Sequence, residues 1–135
     1  MHIIQEFSER PEFDVTIVNA IKDKVGSWGL WLTIKNVVKE AIEKNYDYII
    51  ICEDDHMFTK DYDKISLSNL IESLQMNKAD ILLGGVSWFD TALPISKNLF
   101  WVKKFHGLQF TVVFKSFYEN MLNRRLSGSI VSCGL

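Results

Sequence analysis

The sequence lacks a long apolar run, a signal for secretion and a cysteine pattern. No apolar stretch approaches the roughly 18 to 20 residues needed to cross a bilayer, and the amino terminus lacks the basic-then-apolar order of a secretory leader. We therefore expect no transmembrane segment and a cytoplasmic location. Cys52 and Cys133 lie far apart without metal-ligand spacing, so both are expected to be reduced thiols.

Positive charge is also scarce. The 15 Lys and Arg residues are outnumbered by 17 Asp and Glu residues, giving a formal charge of -2. The basic doublets, Lys103-Lys104 and Arg124-Arg125, are isolated. This distribution argues against a nucleic-acid partner, because such proteins bind by neutralising phosphates.

The composition predicts one globular domain. The chain has 135 residues, of which 47% are hydrophobic and 24% charged, which is enough for a single sizeable core. It contains no internal repeat, low-complexity tract or linker. We therefore treat residues 1–135 as one domain.

The strongest signal is the stretch YDYIIICEDDHMFT, residues 46–59. The apolar run from Ile49 to Cys52 is typical of a strand covered on both faces. It stops at three adjacent carboxylates, Glu53, Asp54 and Asp55. These repel one another and lose solvation unless water, hydrogen-bond donors or a cation compensates them. The pattern predicts a metal or phosphate-handling site, and a solvated acidic turn is the alternative.

Periodicity and turn residues predict the other elements. The predicted helices are His2–Arg10, Trp28–Lys44, Leu67–Gln75 and Ser116 to about Arg125. Ser27 caps the second helix and Asn45 stops it, and Ser66 or Ser68 caps the third. The predicted strands are Phe13–Ile21, the strand ending at Cys52, Asp80–Ser87, and a hairpin of Leu99–Phe105 and Leu108–Phe114 around His106-Gly107, with a loop over Trp88–Asn98.

Strand, helix and acidic strand together predict a βαβ unit. Such units are parallel and right-handed, and their ligands bind beyond the carboxyl ends of the strands. The next predicted strand ends at Gly84 and Gly85, where a ligand or backbone can approach closely. Trp88 follows and could stack on a sugar, or belong to the core. Asp90 could act as a general base or second-sphere carboxylate, or be an ordinary surface residue.

The carboxylates suit a hard divalent cation. Mg²⁺ is typically held by one or two carboxylates together with substrate phosphates. An ion at Asp55 would neutralise a diphosphate and stabilise it as a leaving group. His56 could add a nitrogen ligand, which would suit Mn²⁺, or could simply be a loop residue.

Gly26 and Gly29 lie at the start of the predicted helix, and the strand that follows it ends with Glu-Asp-Asp. This arrangement resembles the nucleotide-sugar-binding core of GT-A glycosyltransferases. The resemblance is to glycosyltransferase family 25 and to family 2, over about Val18 to Phe114, with the tight match at Asp47 to His56. It implies an α/β fold: a three-layer αβα domain with a mainly parallel sheet and an added antiparallel hairpin.

The resemblance also implies roles. In those families the acidic motif binds Mn²⁺ or Mg²⁺, which bridges the phosphates of a nucleotide-sugar donor. Asp55 would bind the metal, Asp54 would contact the ribose or sugar, and Glu53 would steady the motif. The implied function is sugar transfer to a glycan acceptor in bacterial lipopolysaccharide or other surface-polysaccharide assembly.

The sequence departs from the family pattern in two respects. Thr33 and Ile34 stand where family 25 members usually carry a Ser-His pair. GT-A domains are commonly about twice this length, so the domain is expected to be incomplete at both ends. Missing strands would leave an exposed sheet edge, through which a homo-oligomer could form.

Two other functions remain open. One is a non-catalytic module that binds a nucleotide sugar. The other is a Mg²⁺-dependent phosphoacceptor domain of the receiver type, which needs an Asp at a later strand end where this chain has Gly84-Gly85. Related phosphatases need Asp-x-Asp, which Asp54-Asp55-His56 does not supply.

Overall fold

The computed structural model describes residues 1–123. Its elements are α1 (His2–Ser8), α2 (Gly26–Glu43), β1 (Tyr48–Cys52), α3 (Lys64–Met76), β2 (Ile81–Gly85), β3 (Trp88–Phe89), β4 (Ala92–Ser96), β5 (Leu99–Val102), β6 (Phe105–His106), β7 (Phe110–Phe114), a 3₁₀ turn (Lys115–Phe117) and α4 (Tyr118–Asn123). No helix within this part of the chain is both long enough and apolar enough to cross a membrane.

The main sheet is antiparallel. Strand β7 lies between β1 and β2 and runs opposite to both of them. The expected mainly parallel, three-layer GT-A sheet is therefore wrong, since no neighbouring strands in residues 1–123 are parallel. Because β1 and β2 both oppose β7, these two strands point the same way, and their carboxyl ends meet the start of β7.

A two-stranded hairpin explains the direction of β7. The register is constant from Trp88↔His106 to Pro94↔Phe100. Between these pairs, Asp90 N–H donates to Lys104 O at 3.1 Å and continues the ladder. Residues 88–106, which we call the ribbon, therefore run out and back. They return the chain to the end of the sheet that β2 has just left, so β7 must run in the opposite direction.

The ribbon corrects two sequence predictions. Residues from Trp88 to Asn98 form its outgoing strand and turn rather than a loop. The predicted hairpin around His106-Gly107 is wrong, because β6 pairs with β3, and β7 pairs with β1 and β2. Gly107, with φ of 99°, turns the chain from the ribbon into the sheet.

Helices cover both faces of β7, which is buried along its whole length. On one face Val38 and Ala41 of α2 pack with Val113 and Tyr118. On the other face Leu74 of α3 packs with a second group of buried residues that includes Ile71, Val112 and Phe114. Successive residues of a strand point to opposite faces, so β7 supplies apolar side chains to both clusters.

The predicted helices form, but their predicted N-terminal caps are wrong. Helix α2 begins after Val25, without a side-chain cap, so Ser27 is not its N-cap. Asn45 has φ of 56° and ends this helix, as predicted. Asp63 caps α3 by accepting the N–H of Ser66 at 2.8 Å, in place of the predicted serines. The predicted end of the last helix, near Arg125, lies outside the described residues.

The predicted strand Phe13–Ile21 does not form. Its β-branched residues favour a pleated, half-buried surface, but Val15 and Val18 are exposed here. Only its two ends are held: the Phe13 ring packs edge-to-face on Phe7, and Ile21 N–H donates to Thr33 Oγ1 at 2.8 Å. A Cβ on Gly29 would lie 2.2 Å from Ile21 O, so the helix approaches this backbone closely. The first βαβ unit is therefore absent.

The burial of β7 yields a stability prediction. Val112 is 0% exposed, and Val112→Ala should lower the free energy of unfolding by about 2 kcal/mol, because two buried methyl groups are lost. Urea denaturation would measure this change. Val15→Ala is the matched control and should change stability by less than about 0.5 kcal/mol. Equal effects of the two substitutions would contradict the central position of β7.

Candidate functional site

The acidic motif forms a tight turn directly after β1. Glu53 N–H donates to Gln109 O at 3.1 Å, and His56 N–H donates to Glu53 O at 3.2 Å. Glu53 is half-buried, whereas Asp54 and Asp55 are exposed. The turn thus holds two carboxylates at the surface, where a cation or the polar groups of a ligand can reach them.

The structure brings this motif close to the glycine pair. Cys52 of β1 and Gly85 of β2 both pair with Phe110, from opposite sides of β7. A Cβ on Gly85 would lie 3.6 Å from Gln109 Oε1. The carbonyl oxygen of Gln109 also accepts the N–H of Glu53. The ends of the two strands therefore flank one residue pair, Gln109-Phe110.

Trp88 and Asp90 lie at the base of the ribbon. Ser87 N–H donates to His106 O at 2.8 Å, which joins the two strands there. The ring of Trp88 is 49% exposed and lies 5.2 Å from the His106 ring, centroid to centroid. Asp90 is exposed two residues farther along. Hydrogen bonds within residues 1–123 do not link the Asp90 side chain to the acidic motif.

His56 packs into an aromatic cluster. Its ring centroid lies 4.7 Å from that of Phe58 and 5.2 Å from that of Phe110. Its Nε2 is buried and has no hydrogen-bond partner in the described part of the chain. Burial is the main cause that lowers the His56 pKa, and the nearby carboxylates of Glu6 and Asp55 oppose this shift. Nε2 is thus not open to an ion in solution.

The first helix closes over the loop that carries the motif. His2 Nε2 donates to His56 O at 2.9 Å, and Phe58 N–H donates to Glu6 Oε2 at 3.2 Å. The Arg10 guanidinium lies 4.2 Å from the centre of the Phe58 ring. The sequence pattern indicated the helix but not these contacts. Phe110 was also missed, because an apolar strand residue carries no functional signal.

Cys52 is a half-buried free thiol. Burial, with a smaller contribution from the Glu53 and Asp55 carboxylates, raises the pKa of this thiol to about 12. It is therefore un-ionised at neutral pH, and it packs against the second core cluster. Cys133 lies outside the described residues.

The exposed carboxylates of Asp54 and Asp55 fit a cation whose other ligands are phosphate oxygens of a bound substrate. No group of three or more His, Cys, Asp or Glu side chains in residues 1–123 is arranged to hold a metal ion. Asp54 and Asp55 nevertheless offer hard carboxylate oxygens in solvent. This number of protein ligands is what Mg²⁺ commonly uses when substrate phosphates complete its coordination.

The chain matches no protein-family model, no curated protein and no solved structure. The function must therefore be inferred from the chemistry of the site itself.

The glycines give a matched pair of substitutions. A Cβ on Gly84 would lie 2.8 Å from Phe110 Cδ1, whereas one on Gly85 would make only an ordinary contact. Gly84→Ala should therefore lower the free energy of unfolding by about 1 to 3 kcal/mol through overpacking. Gly85→Ala should change it far less. Thermal and urea unfolding would measure both, and equal stability of the two variants would contradict this geometry.

The environment of His56 predicts acid sensitivity. Since its pKa is lower in the folded than in the unfolded chain, the unfolded chain binds more protons below about pH 6.5. Stability should therefore fall as the pH falls through this region. His56→Gln should lose less stability than the native chain between about pH 7.5 and pH 5, as measured by urea unfolding. A native slope in His56→Gln would refute the prediction.

Proposed function

We propose that the chain binds a nucleotide sugar through a divalent cation at its acidic motif and transfers the sugar to a glycan acceptor. One observation carries the proposal: the three carboxylates that follow β1 and the glycine pair that ends β2 lie at the same end of the sheet, on opposite sides of Gln109-Phe110. Negative oxygens for a cation and open backbone for a ligand thus occur at one end of the sheet.

Each part of the motif has a role in this proposal. Asp55, with Asp54 beside it, would hold the cation, Mn²⁺ or Mg²⁺, which supplies positive charge to the diphosphate leaving group. The hydrogen bond from Glu53 N–H to Gln109 O fixes the turn relative to β7. Gly85 leaves room for the donor at the adjacent strand end, whereas Phe110 fills the space at Gly84. His56 shapes the loop from within the aromatic cluster rather than binding the ion through Nε2.

The base of the ribbon would supply the acceptor side. Trp88 offers an exposed aromatic face suited to the apolar face of a sugar. Asp90 would take the proton from the acceptor hydroxyl as its oxygen bonds to the anomeric carbon and the bond from that carbon to the diphosphate breaks. The expectation of a polysaccharide acceptor comes from the resemblance alone.

The arrangement favours this function over a phosphoacceptor domain. In a receiver-type site a carboxylate at a second strand end would accept the phosphoryl group. Here β2 ends with Gly84-Gly85. This strand end leaves space for a ligand but offers no oxygen to phosphorylate.

Donor binding provides the direct test. Asp55→Asn should weaken the binding of nucleotide sugars in the presence of Mn²⁺ by about tenfold or more, because one negative ligand oxygen is lost. Isothermal calorimetry with a panel of nucleotide sugars would measure the affinity. Asp61→Asn changes another exposed carboxylate of the same loop and should leave binding unchanged. Unaltered affinity in Asp55→Asn would refute the role of the motif.

Turnover separates a transferase from a binding module. Release of the nucleoside diphosphate in the presence of mixed glycan acceptors should fall by about 100-fold in Asp90→Asn, with donor affinity preserved. Gly85→Ala, which the fold accommodates, should weaken donor binding because its methyl group occupies the ligand's space. Donor binding without any turnover by the native chain would favour the non-catalytic module.

A further inference from the structure

An open cavity lies along the outer edge of β2, and we call it the groove. Its volume is about 510 Å³, which is within the range of ligand-binding clefts. Leucine side chains of α3 form one wall, and residues of the ribbon form another. Both Leu82 and Leu83 line the groove, although neighbouring residues of a strand point to opposite faces of a sheet. The groove therefore follows the edge of β2 rather than one of its faces.

The walls of the groove are apolar. Among the described residues that line it, Asn98 alone has a polar side chain, and none carries a charge. Phe89 and Phe100 of the ribbon line the groove and are still 50% and 52% exposed. A charged ligand would lose its hydration here without gaining a partner. The walls thus suit a neutral occupant with apolar groups.

The floor of the groove, in contrast, has free backbone groups. Strand β2 is at an edge of the main sheet and pairs with β7 alone. Phe114 N–H donates to Asp80 O at 3.1 Å, and such bonds alternate along an antiparallel pair. The backbone groups of Leu82 therefore face β7, whereas those of Ile81 and Leu83 point into the groove. Within residues 1–123, no hydrogen bond reaches these outward N–H and C=O groups.

We propose that the groove binds an extended, uncharged peptide segment of a partner protein, which adds to the main sheet as a strand beside β2. The backbone of such a segment bonds to Ile81 and Leu83, and its apolar side chains contact the leucines of α3. It continues the hydrogen-bonded ladder that already joins β1, β7 and β2. The register shift between Leu83 and Gly85 interrupts the regular edge, so pairing ends before the glycine pair.

Other occupants satisfy only part of the groove. A hydrocarbon chain fits the apolar walls but leaves the N–H and C=O groups of Ile81 and Leu83 without partners, which costs free energy once water is displaced. A second copy of this chain cannot pair through the same edge, because its own β2 lies between its own α3 and ribbon. An extended peptide matches both the walls and the edge.

This inference does not depend on the proposed sugar transfer. The free edge at Ile81 and Leu83 lies on one side of β7, whereas the acidic motif follows β1 on the other side. Asp55→Asn should therefore leave peptide binding unchanged, even though it weakens the binding of a nucleotide sugar. Loss of one activity without the other separates the two proposals.

Peptide binding tests the proposal. The probe is a short fluorescein-labelled peptide in which valine alternates with threonine, and fluorescence anisotropy should show saturable binding to the full chain. Two isomers of the probe carry backbone N-methyl groups, one on its valines and the other on its threonines. Only alternate N–H groups of an added strand face β2. One isomer should therefore bind at least about tenfold more weakly than the unmethylated probe, and the other should bind much as the probe does.

Hydrogen exchange and a filled groove provide the second test. On addition of the probe, exchange followed by NMR should slow at the amides of Ile81 and Leu83 and change little at Leu82, which already bonds to β7. Ala92→Phe places a ring in the groove, which Ala92 lines, and should weaken binding by about tenfold or more. Ala20→Phe makes the same change at an exposed residue outside the groove and should bind as the native chain does.

Several results would overturn the proposal. These are no saturable binding of the probe, equal affinity of the two methylated isomers, or unchanged exchange at Ile81 and Leu83. Displacement of the probe by laurate would make a hydrocarbon the occupant, and a dimer that Ala92→Phe dissociates would make it a second copy. Binding that requires removal of residues 124–135 would make that segment the occupant. Should Ala92→Phe not fold, the methylated isomers and hydrogen exchange decide the question on the native chain.

Discussion

The pairing of β7 with β1 on one side and β2 on the other is the constraint on which the structure depends. Strand β7 is buried along its length and contributes side chains to both core clusters. Its first residue, Phe110, pairs with the last residue of both neighbouring strands. The same residue packs against His56 and limits the space at Gly84. The same strand therefore determines both the packing of the core and the geometry of the candidate site.

The site is assembled by backbone contacts more than by side-chain chemistry. The N–H of Glu53 and the space beside Gly85 both involve Gln109, so a change in the position of β7 would move both strand ends. The first helix adds a second layer, since His2 and Glu6 bond to the loop that follows the motif. Exposed carboxylates at a well-fixed turn need no internal charge partner, because water already solvates them.

The ribbon reverses the chain between β2 and β7, which makes the main sheet antiparallel. It also contributes to the core, since Phe105 is buried and Val102 and Leu99 pack against the two clusters. The sequence pattern did not reveal it, because the stretch from Trp88 to Asn98, which contains Pro94, was predicted to be a loop. Strand pairing here is set by cross-strand register over the whole ribbon, which no short window contains.

The amino-acid sequence by itself determined α2, α3, β1 and β2, as well as the acidic turn after Cys52, because apolar periodicity, glycine and adjacent carboxylates act locally. Tertiary structure alone decided the strand order, the direction of β7 and the contacts of His56. It also decided that Phe13–Ile21 forms no strand: the segment pairs with neither edge of the main sheet and leaves Val15 and Val18 exposed, and a β-branched segment favours a strand only where it is half-buried against neighbours. Which strand lies beside which depends on contacts between residues far apart in the chain, and local sequence patterns do not contain that information.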